Sequence, residues 1–313
     1  MKDINKIRGA LYGVAVGDAL GAPLEFMNAA EIQTKYGTVR DMLPGGWLNV
    51  EPGEVTDDTQ MTLAVGSGIL VCADDPVPYI GKRFILWTMR GPKDIGGTCA
   101  GSIAIARAKA DQHTMLLSRA GWVQAARRAR PNNKNADGNG ALMRTVYPGL
   151  FYGYIDDAQM HAGDIAEMTH AGVISKETCI LYTSMIYYII NNDFCVSARD
   201  MITALVKRYD NTEQEIYRRF LEKDACYFPP DGYVAHSMQV ALEEICSTNN
   251  FEDAIVAAVN RGGDADTNGA ITGGLAGAWY GYDNIPNRWV ECLEPSIRRQ
   301  LDAFAEAAAN NRD

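Results

Sequence analysis

Two short acidic segments, 56–59 and 264–267, stand far apart in the chain and share one pattern. Each places carboxylates and threonine hydroxyls at the start of an apolar helical repeat. One helix start needs only one capping side chain, so each segment supplies more oxygen atoms than a cap requires. Neither segment contains His or Cys, and an all-oxygen donor set favours Mg²⁺ or Mn²⁺ over Zn²⁺. The candidate ligands are Thr56, Asp57, Asp58, Asp264, Asp266 and Thr267.

A third segment carries Asp18 and Glu25 among small and apolar residues. Burying a carboxylate is unfavourable unless it is paired, hydrogen-bonded or metal-bound. Glu25 and the four aspartates of the other two segments would repel one another strongly in one cavity, and two divalent cations would offset most of that charge. The alternative is separate structural roles: Asp18 caps a turn, Glu25 is exposed, and Asp57 with Gln60 forms a capping box.

Glycine-rich turns precede further helical patterns. The segment 93–98 could hold a phosphate on backbone N–H groups at a helix N-terminus, although an ordinary capped loop has the same composition. The segment 136–144 is a second glycine-rich helix start. His170 is a lone histidine at a helix end, and such residues are more often structural than catalytic. Tyr233 follows a Pro-Asp-Gly turn, where it either stacks on a ligand or covers the core.

The elements that position these residues are helices. In the first of them, Ile4, Ile7, Leu11 and Val14 recur at three- and four-residue steps and form one apolar face. Alternating strand patterns do not recur, and no linker or fixed-period repeat divides the chain. We therefore predict an all-α fold with a single domain over 1–313. Further helices are predicted at about 60–73, 79–90, 100–110, 174–191, 196–208, 234–247, 251–260, 267–281 and 293–309.

Two of these helices have no polar face. The segments 178–190 and 270–280 are uncharged, which predicts helices buried on all sides. The small residues of the second segment, among them Gly273, Gly274 and Gly277, would let neighbouring helices approach closely.

Composition excludes several classes of protein. The 313 residues carry 29 basic and 39 acidic side chains, a formal charge of −10, and 47% of them are hydrophobic. A disordered chain would be less apolar, and a general nucleic-acid binder would carry a basic face. No apolar run approaches the ~18–20 residues of a membrane span. The seven cysteines are scattered and never form C-x-x-C, which predicts free thiols in a cytoplasmic protein.

Five motifs in order along the chain resemble the ADP-ribosylglycohydrolase family. The resemblance implies a compact, single-domain, orthogonal helical bundle with two divalent cations, Mn²⁺ or Mg²⁺. It also implies hydrolysis of the N-glycosidic bond between ADP-ribose and an arginine side chain, the activity of the branch that segments 45–48, 94–99 and 280–286 resemble. The motifs are 17–21 with Glu25, 56–59, 139–144, 169–170 and 262–267.

The resemblance further implies the roles of single residues. The metal ligands would be the six threonines and aspartates named above, and Asp94 and Glu25 would be catalytic. The chain departs from the branch at Gly97, where Asn is common, and at His236, where an acidic residue is expected. The implied ADP-ribose and substrate contacts are Gly96, Gly97, Thr98, Asn139, Gly140, His170 and Tyr233.

The resemblance also implies partners. The expected substrate is an ADP-ribosylated protein, dinitrogenase reductase in the first place, whose inactivation the enzyme would reverse in the regulation of nitrogen fixation. A regulatory protein could recruit such an enzyme to the membrane, whereas nucleic-acid binding and direct membrane insertion are not expected. The alternatives are a hydrolase for serine-linked ADP-ribose, O-acetyl-ADP-ribose or a toxin-modified protein, and a non-catalytic ADP-ribose binder or structural protein on the same fold.

Overall fold

The computed structural model describes residues 2–130, 136–192, 196–208 and 229–311. These residues form fifteen α-helices and no β-strand, so the predicted all-α class is confirmed. The helices are α1 Ile4–Gly21, α2 Ala29–Tyr36, α3 Asp57–Val71, α4 Val77–Thr88, α5 Gly97–Lys109, α6 Arg119–Ala129, α7 Tyr147–Phe151, α8 Ile155–Glu167, α9 Val173–Asn191, α10 Ala198–Arg208, α11 Val234–Ser247, α12 Phe251–Val259, α13 Ala265–Tyr280, α14 Asn287–Cys292 and α15 Pro295–Asn310.

The predicted helices are all present, with ends that differ by a few residues, whereas α2, α6, α7, α8 and α14 were not predicted. The face that α8 buries consists largely of small or polar residues, among them Ala158, His161 and Ala162. The face of α6 is Trp122 with two alanines. Such faces carry few large apolar residues, so a search for recurring large apolar side chains passes over them.

Helices α1 and α13 run antiparallel with their backbones in direct contact. A Cβ atom placed on Gly13 would lie 2.0 Å from the Gly273 carbonyl oxygen, and one on Gly17 would lie 2.1 Å from the Gly269 oxygen. Any side chain at these positions would force the two backbones apart. Glycine at four-residue steps on α1 therefore fixes the pair and brings the C-terminal end of α1 beside the N-terminal end of α13.

Helices α9, α11 and α12 pack around α13 and complete its burial. Every residue of α13 from Ala265 to Ala278 is buried, so the burial predicted for 270–280 is confirmed except at Trp279 and Tyr280, which are half-buried. The Tyr182 hydroxyl of α9 donates to the Ile271 carbonyl of α13 at 3.0 Å, which replaces a hydrogen bond to water inside this core. The centre of the molecule is thus the pair of α1 and α13, which touch through backbone without mobile side chains between them. Such a pair is suited to holding the functional groups at its end in fixed positions.

Two further predictions concern the thiols and the membrane. Cys72, Cys99, Cys179, Cys246 and Cys292 are free thiols as predicted, and Cys195 and Cys226 lie outside the described residues. Within the described ranges, no helix has the length and apolar character needed to cross a bilayer. The division of the chain into one domain stays a prediction.

Candidate active site

A cleft of about 1190 Å³ opens where α1, α3, α5 and α13 present their ends. Its walls bring together segments that are up to 240 residues apart in sequence, from Glu25 to Asp264. Thr56, Asp58 and Asp266 are buried directly behind this lining. The predicted residues that line the cleft are Glu25, Asp57, Asp94, Gly96, Gly97, Thr98, Asn139, Gly140, His170, Tyr233, Asp264 and Thr267.

The fully buried carboxylate of Asp18 caps α3 from a different helix. It accepts hydrogen bonds from the backbone N–H of Thr56 at 3.0 Å and of Thr59 at 3.1 Å, and from both threonine hydroxyls. Gln60 instead donates to Val55 and accepts from Trp87, so the capping box expected at this helix start does not form. Asp18 therefore anchors the Thr56–Thr59 turn, and the adjacent aspartates are free for another role.

The remaining carboxylates converge behind the cleft floor. Glu25, Asp264 and Asp266 offer oxygen atoms that lie within 4.8 Å of one another. Asp58 Oδ2 accepts from Thr56 Oγ1 at 3.3 Å and from Thr267 Oγ1 at 3.5 Å. The two acidic segments that the sequence pattern paired are thus adjacent in space.

These carboxylates are electrostatically unfavourable without a cation. Burial, with the charge of neighbouring carboxylates, raises the pKa of Glu25 to about 8 and the pKa of Asp57, Asp58 and Asp266 well above the ordinary range. Asp58 Oδ1 is buried and has no hydrogen-bond partner among the described residues. Since the donor set is entirely oxygen, the cluster fits divalent cations of the Mg²⁺ or Mn²⁺ type.

Asp94 extends the acidic wall toward the cleft mouth. Its carboxylate accepts a hydrogen bond from the backbone N–H of Ile95 at 2.8 Å and lies against Asp57. Burial raises the pKa of Asp57, and the negative charge of Asp94 raises it further. The backbone N–H of Gly96 points to Asp57 Oδ2 at 3.4 Å. The loop before α5 therefore places a carboxylate beside Asp57, at the edge of the cluster of Glu25, Asp264 and Asp266.

The facing wall carries the neutral groups Asn139, Gly140 and His170 and the basic Arg130, with Asp137 and Asp231 also in its lining. Asn139 Nδ2 donates to Asp264 Oδ2 at 2.7 Å and to Ser237 Oγ at 2.9 Å, which joins this wall to the acidic one. Gly140 lies against His170, whose Cε1 would be 3.1 Å from a Cβ at that position. Arg130 Nη2 donates to Thr98 Oγ1 at 3.2 Å at the N-terminal end of α5. This half of the cleft can take the anionic part of a ligand.

A buried arginine supports this wall from behind. Arg144 is fully buried and donates to the Gly140 carbonyl and to Thr169 Oγ1, each at 2.7 Å. Thr169 Oγ1 in turn lies 2.8 Å from His170 Nδ1. Burial, with the charges of Arg144 and Arg130, lowers the pKa of His170 to about 3, so the imidazole is neutral at physiological pH.

Tyr233 lies at the start of α11, where it forms an isolated antiparallel bridge with Gly138. Its backbone N–H donates to Asp231 Oδ1 at 3.0 Å, and the same carboxylate contacts His236 Nδ1 at 2.8 Å. The Pro-Asp-Gly turn thus fixes the edge of the cleft and turns the Tyr233 ring toward its opening.

Several residues of the site were not predicted as functional. Trp47 Nε1 donates to Glu25 Oε2, and Arg144 with Thr169 fixes the His170 wall. Trp47 lies in the segment 45–48 and Arg144 in the motif 139–144. The spacing of residues in these motifs does not show which partner each side chain contacts. Asp18 is recognisable in the sequence as a carboxylate among apolar residues. Its hydrogen-bond partners lie 38 to 41 residues further along the chain, so the local pattern does not show them.

Comparison with known proteins decides the family. The family model for ADP-ribosylglycohydrolase matches residues 1–313. The chain belongs to the ADP-ribosylglycohydrolase family. It is 34% identical to ADP-ribosyl-[dinitrogen reductase] glycohydrolase of Rhodospirillum rubrum, over 96% of this chain and 95% of that protein. It is 30% identical to ADP-ribosylarginine hydrolase Tri1 of Serratia proteamaculans, over 93% of this chain and 76% of that one.

A solved structure supports the same assignment. An ADP-ribosylglycohydrolase-related protein complex superposes with a TM-score of 0.81 at 27% identity and covers 99% of each chain. The orthogonal bundle expected for an ADP-ribosylglycohydrolase is therefore confirmed, and so is the prediction of an enzyme that acts as a glycohydrolase.

Proposed function

We propose that this ADP-ribosylglycohydrolase removes ADP-ribose from an arginine side chain of a modified protein, with two divalent cations bound at the acidic wall. The observation that carries the proposal is the position of Asp94, a carboxylate that faces the cleft beside the ion-binding cluster. The curated relatives named for arginine-linked or dinitrogen-reductase-linked ADP-ribose support the linkage.

The ion-binding residues would be Thr56, Asp57, Asp58, Asp264, Asp266 and Thr267, with Glu25 at or beside the ions. When bound, the cations would position the ribose through its hydroxyls and supply Lewis acidity beside the reacting carbon. The buried, unpartnered Asp58 Oδ1 supports this assignment, because an orphaned carboxylate oxygen is costly unless a ligand satisfies it. The choice between Mn²⁺ and Mg²⁺ stays open.

The chain's own groups would handle the proton and the leaving group. Asp94 would accept hydrogen bonds from the guanidinium and keep it protonated, so that breakage of the C1″–N bond releases a neutral guanidine, which then takes up the proton that the attacking water loses. Glu25 would orient the attacking water and take its proton. The water oxygen ends on C1″, and the arginine is released unmodified.

The neutral and basic wall would hold the rest of ADP-ribose. The first turn of α5 offers the backbone N–H groups of Gly97 and Thr98 to a phosphate, with Arg130 beside them. Asn139, Gly140 and His170 would contact the ribose and pyrophosphate, and Tyr233 would lie against the substrate at the opening. A neutral His170 would donate or accept one hydrogen bond there without adding charge.

The proposed protein target is dinitrogenase reductase, since the relative from Rhodospirillum rubrum is named for it and aligns over nearly its full length. An arginine modified by a toxin is the alternative target. A regulatory partner that recruits the enzyme to the membrane and a cytoplasmic location stay predictions.

The test is release of free ADP-ribose from arginine-ADP-ribosylated protein, measured with Mn²⁺ and with EDTA, beside a serine-linked substrate. We expect metal-dependent release from the arginine-linked substrate. Asp94→Ala should abolish most turnover while calorimetry still detects Mn²⁺ binding, and Asp156→Ala, an exposed change on α8, is the matched control. Release from the serine-linked substrate alone would reject the proposed linkage. ADP-ribose binding without release from either substrate would move the protein to the binding class.

A further inference from the structure

Two aromatic side chains stand exposed at the mouth of the cleft. Phe26 is 70% exposed and Trp47 is 53% exposed, and their ring centroids lie 5.3 Å apart. Both line the same cleft as Asp94 and Glu25. Their rings therefore form an apolar surface beside Glu25, which Trp47 contacts, in the cleft that Asp94 also lines.

The fold gains little from holding Phe26 in this position. Its φ of 65° is in the left-handed region, which is unfavourable for a bulky residue. Two backbone hydrogen bonds enforce it: Phe26 N–H donates to the Gly263 carbonyl and Gly263 N–H donates to the Met27 carbonyl, each at 2.7 Å. A strained backbone that exposes a phenyl ring beside an active site indicates a role in binding.

The orientation of Trp47 is fixed by the acidic wall. Its Nε1–H donates to Glu25 Oε2, while Gly46, at φ 69°, packs against the backbone of Pro23. One edge of the indole is thus held by a carboxylate, and the ring is left partly open to the cleft. Rings beside carboxylates are the surroundings in which a planar, delocalised cation binds well, because the cation stacks on the ring face and pairs with the carboxylate.

We propose that Phe26 and Trp47 form the surface on which the guanidinium of the modified arginine stacks while Asp94 holds its N–H groups. The inference rests on the proposed arginine linkage and deepens it, because it names what selects arginine over serine. A serine-linked substrate places no cation at this point and gains nothing from the two rings. The aromatic pair is then a specificity determinant at the cleft mouth and contributes nothing to ADP-ribose binding.

Phe26 gives the sharper test, because Trp47 also contacts Glu25. Phe26→Leu keeps an apolar side chain without a π face, and Phe26→Tyr keeps the ring. Phe26→Asn suits the left-handed backbone and should leave the melting temperature unchanged or raise it. Tyr154→Ala is the matched control, since Tyr154 is 68% exposed and lies outside the residues that line the cleft.

The measurements are KM and kcat with ADP-ribosyl-arginine and the Kd of free ADP-ribose by calorimetry. For Phe26→Leu and Phe26→Asn we expect KM to rise roughly 3- to 20-fold, the range of one cation–π contact, with an unchanged Kd for ADP-ribose. Phe26→Tyr and Tyr154→Ala should behave like the wild type. An unchanged KM in Phe26→Leu, or an equal loss of ADP-ribose affinity, would overturn the inference.

Failure of the proposed linkage is detected separately. Binding of agmatine to the wild-type protein with ADP-ribose present should exceed binding of butane-1,4-diamine, which lacks the guanidinium. Phe26→Leu should remove that difference. If the wild type cleaves no arginine-linked substrate and this difference still depends on Phe26, the activity proposal fails and the guanidinium surface stands. If agmatine binding does not depend on Phe26, the surface is rejected whatever the activity.

Discussion

The two walls of the cleft solve opposite electrostatic problems. The acidic wall gathers Glu25, Asp58 and Asp266 so closely that burial and mutual repulsion raise the pKa of each carboxyl group. The facing wall buries Arg144 with no carboxylate among its hydrogen-bond partners in the described residues, and holds His170 neutral beside it. The acidic wall would be stabilised by cations, whereas Arg144 on the facing wall donates to two carbonyls and a hydroxyl through its Nη atoms, and its Nε has no partner among the described residues.

This difference indicates a division of labour. If the acidic wall binds cations as proposed, the site depends on them, whereas the facing wall is held together by the protein's own hydrogen bonds and is preformed. We therefore expect changes on the acidic wall to affect turnover and ion binding, and changes on the facing wall to affect ADP-ribose affinity and stability. The predictions below test that separation.

The largest effect is expected for Asp58→Asn. The change keeps the size of the side chain and removes a charge at the most buried ligand, so turnover should fall about 10³-fold, equivalent to several kcal/mol of lost stabilisation by the ions. Calorimetry should show weaker Mn²⁺ binding and an unchanged Kd for ADP-ribose measured without metal. The exposed Asp156→Asn is the control. Full turnover in Asp58→Asn would remove Asp58 from the metal site.

The next effect should come from Arg144→Lys on the facing wall. Lysine cannot reach the Gly140 carbonyl and Thr169 hydroxyl at once, so a buried acceptor loses its donor and unfolding should become easier by about 3 kcal/mol. Chemical denaturation measures the loss, and ADP-ribose affinity should fall with it. Retained Mn²⁺ affinity would support separate walls, whereas an equal loss of both ligands would contradict them.

Metal removal should show the pH dependence of the acidic wall. The pKa of Glu25 is raised from its ordinary 4.5 to about 8, so the ion-free folded state binds more protons than the unfolded chain, and stability falls as pH rises through this interval. Bound cations favour the ionised carboxylates over the protonated ones, so they reverse the preference of the folded state for bound protons. At one fixed Mn²⁺ concentration, set at 100 times the Kd measured at pH 8, the cation should stabilise the fold by about 3 kcal/mol at pH 8 and by less at pH 5, and the gain in melting temperature should follow. A gain independent of pH would contradict the shifted carboxyl groups.

The smallest effect concerns His170. Its pKa is lowered from 6.5 to about 3, so the unfolded chain binds the proton first and the folded state loses stability as pH falls below 6.5. The loss should reach about 2 kcal/mol at pH 5, since one pKa unit is worth about 1.4 kcal/mol. His170→Asn should lack this part of the pH dependence in denaturant titrations between pH 7 and pH 5. If the free energy of unfolding of the wild type and of His170→Asn depended on pH in the same way, the pKa of His170 would not be lowered in the folded protein.

Sequence reasoning was most informative for features that depend on the types of residue within one short segment. The threonine and aspartate clusters at 56–58 and 264–267 are adjacent in the fold, and the oxygen-ligand site predicted from them rests on atom type, which sequence gives directly. It failed for faces made of small residues, such as that of α8, and for the cap of α3. The capping atom there belongs to Asp18 on α1, and a local pattern cannot contain a contact that distant.

The sequence by itself determined the helical class, the all-oxygen donor set and the glycines that permit close helix contact, since each follows from side-chain size, charge or period. Tertiary structure alone decided which groups face one another. Backbone contact between Gly13 and Gly273 sets the register of α1 on α13, and that register places Glu25 beside Asp264 and Asp266. The arrangement depends on packing many residues at once, and for that reason no single segment of the sequence encodes it.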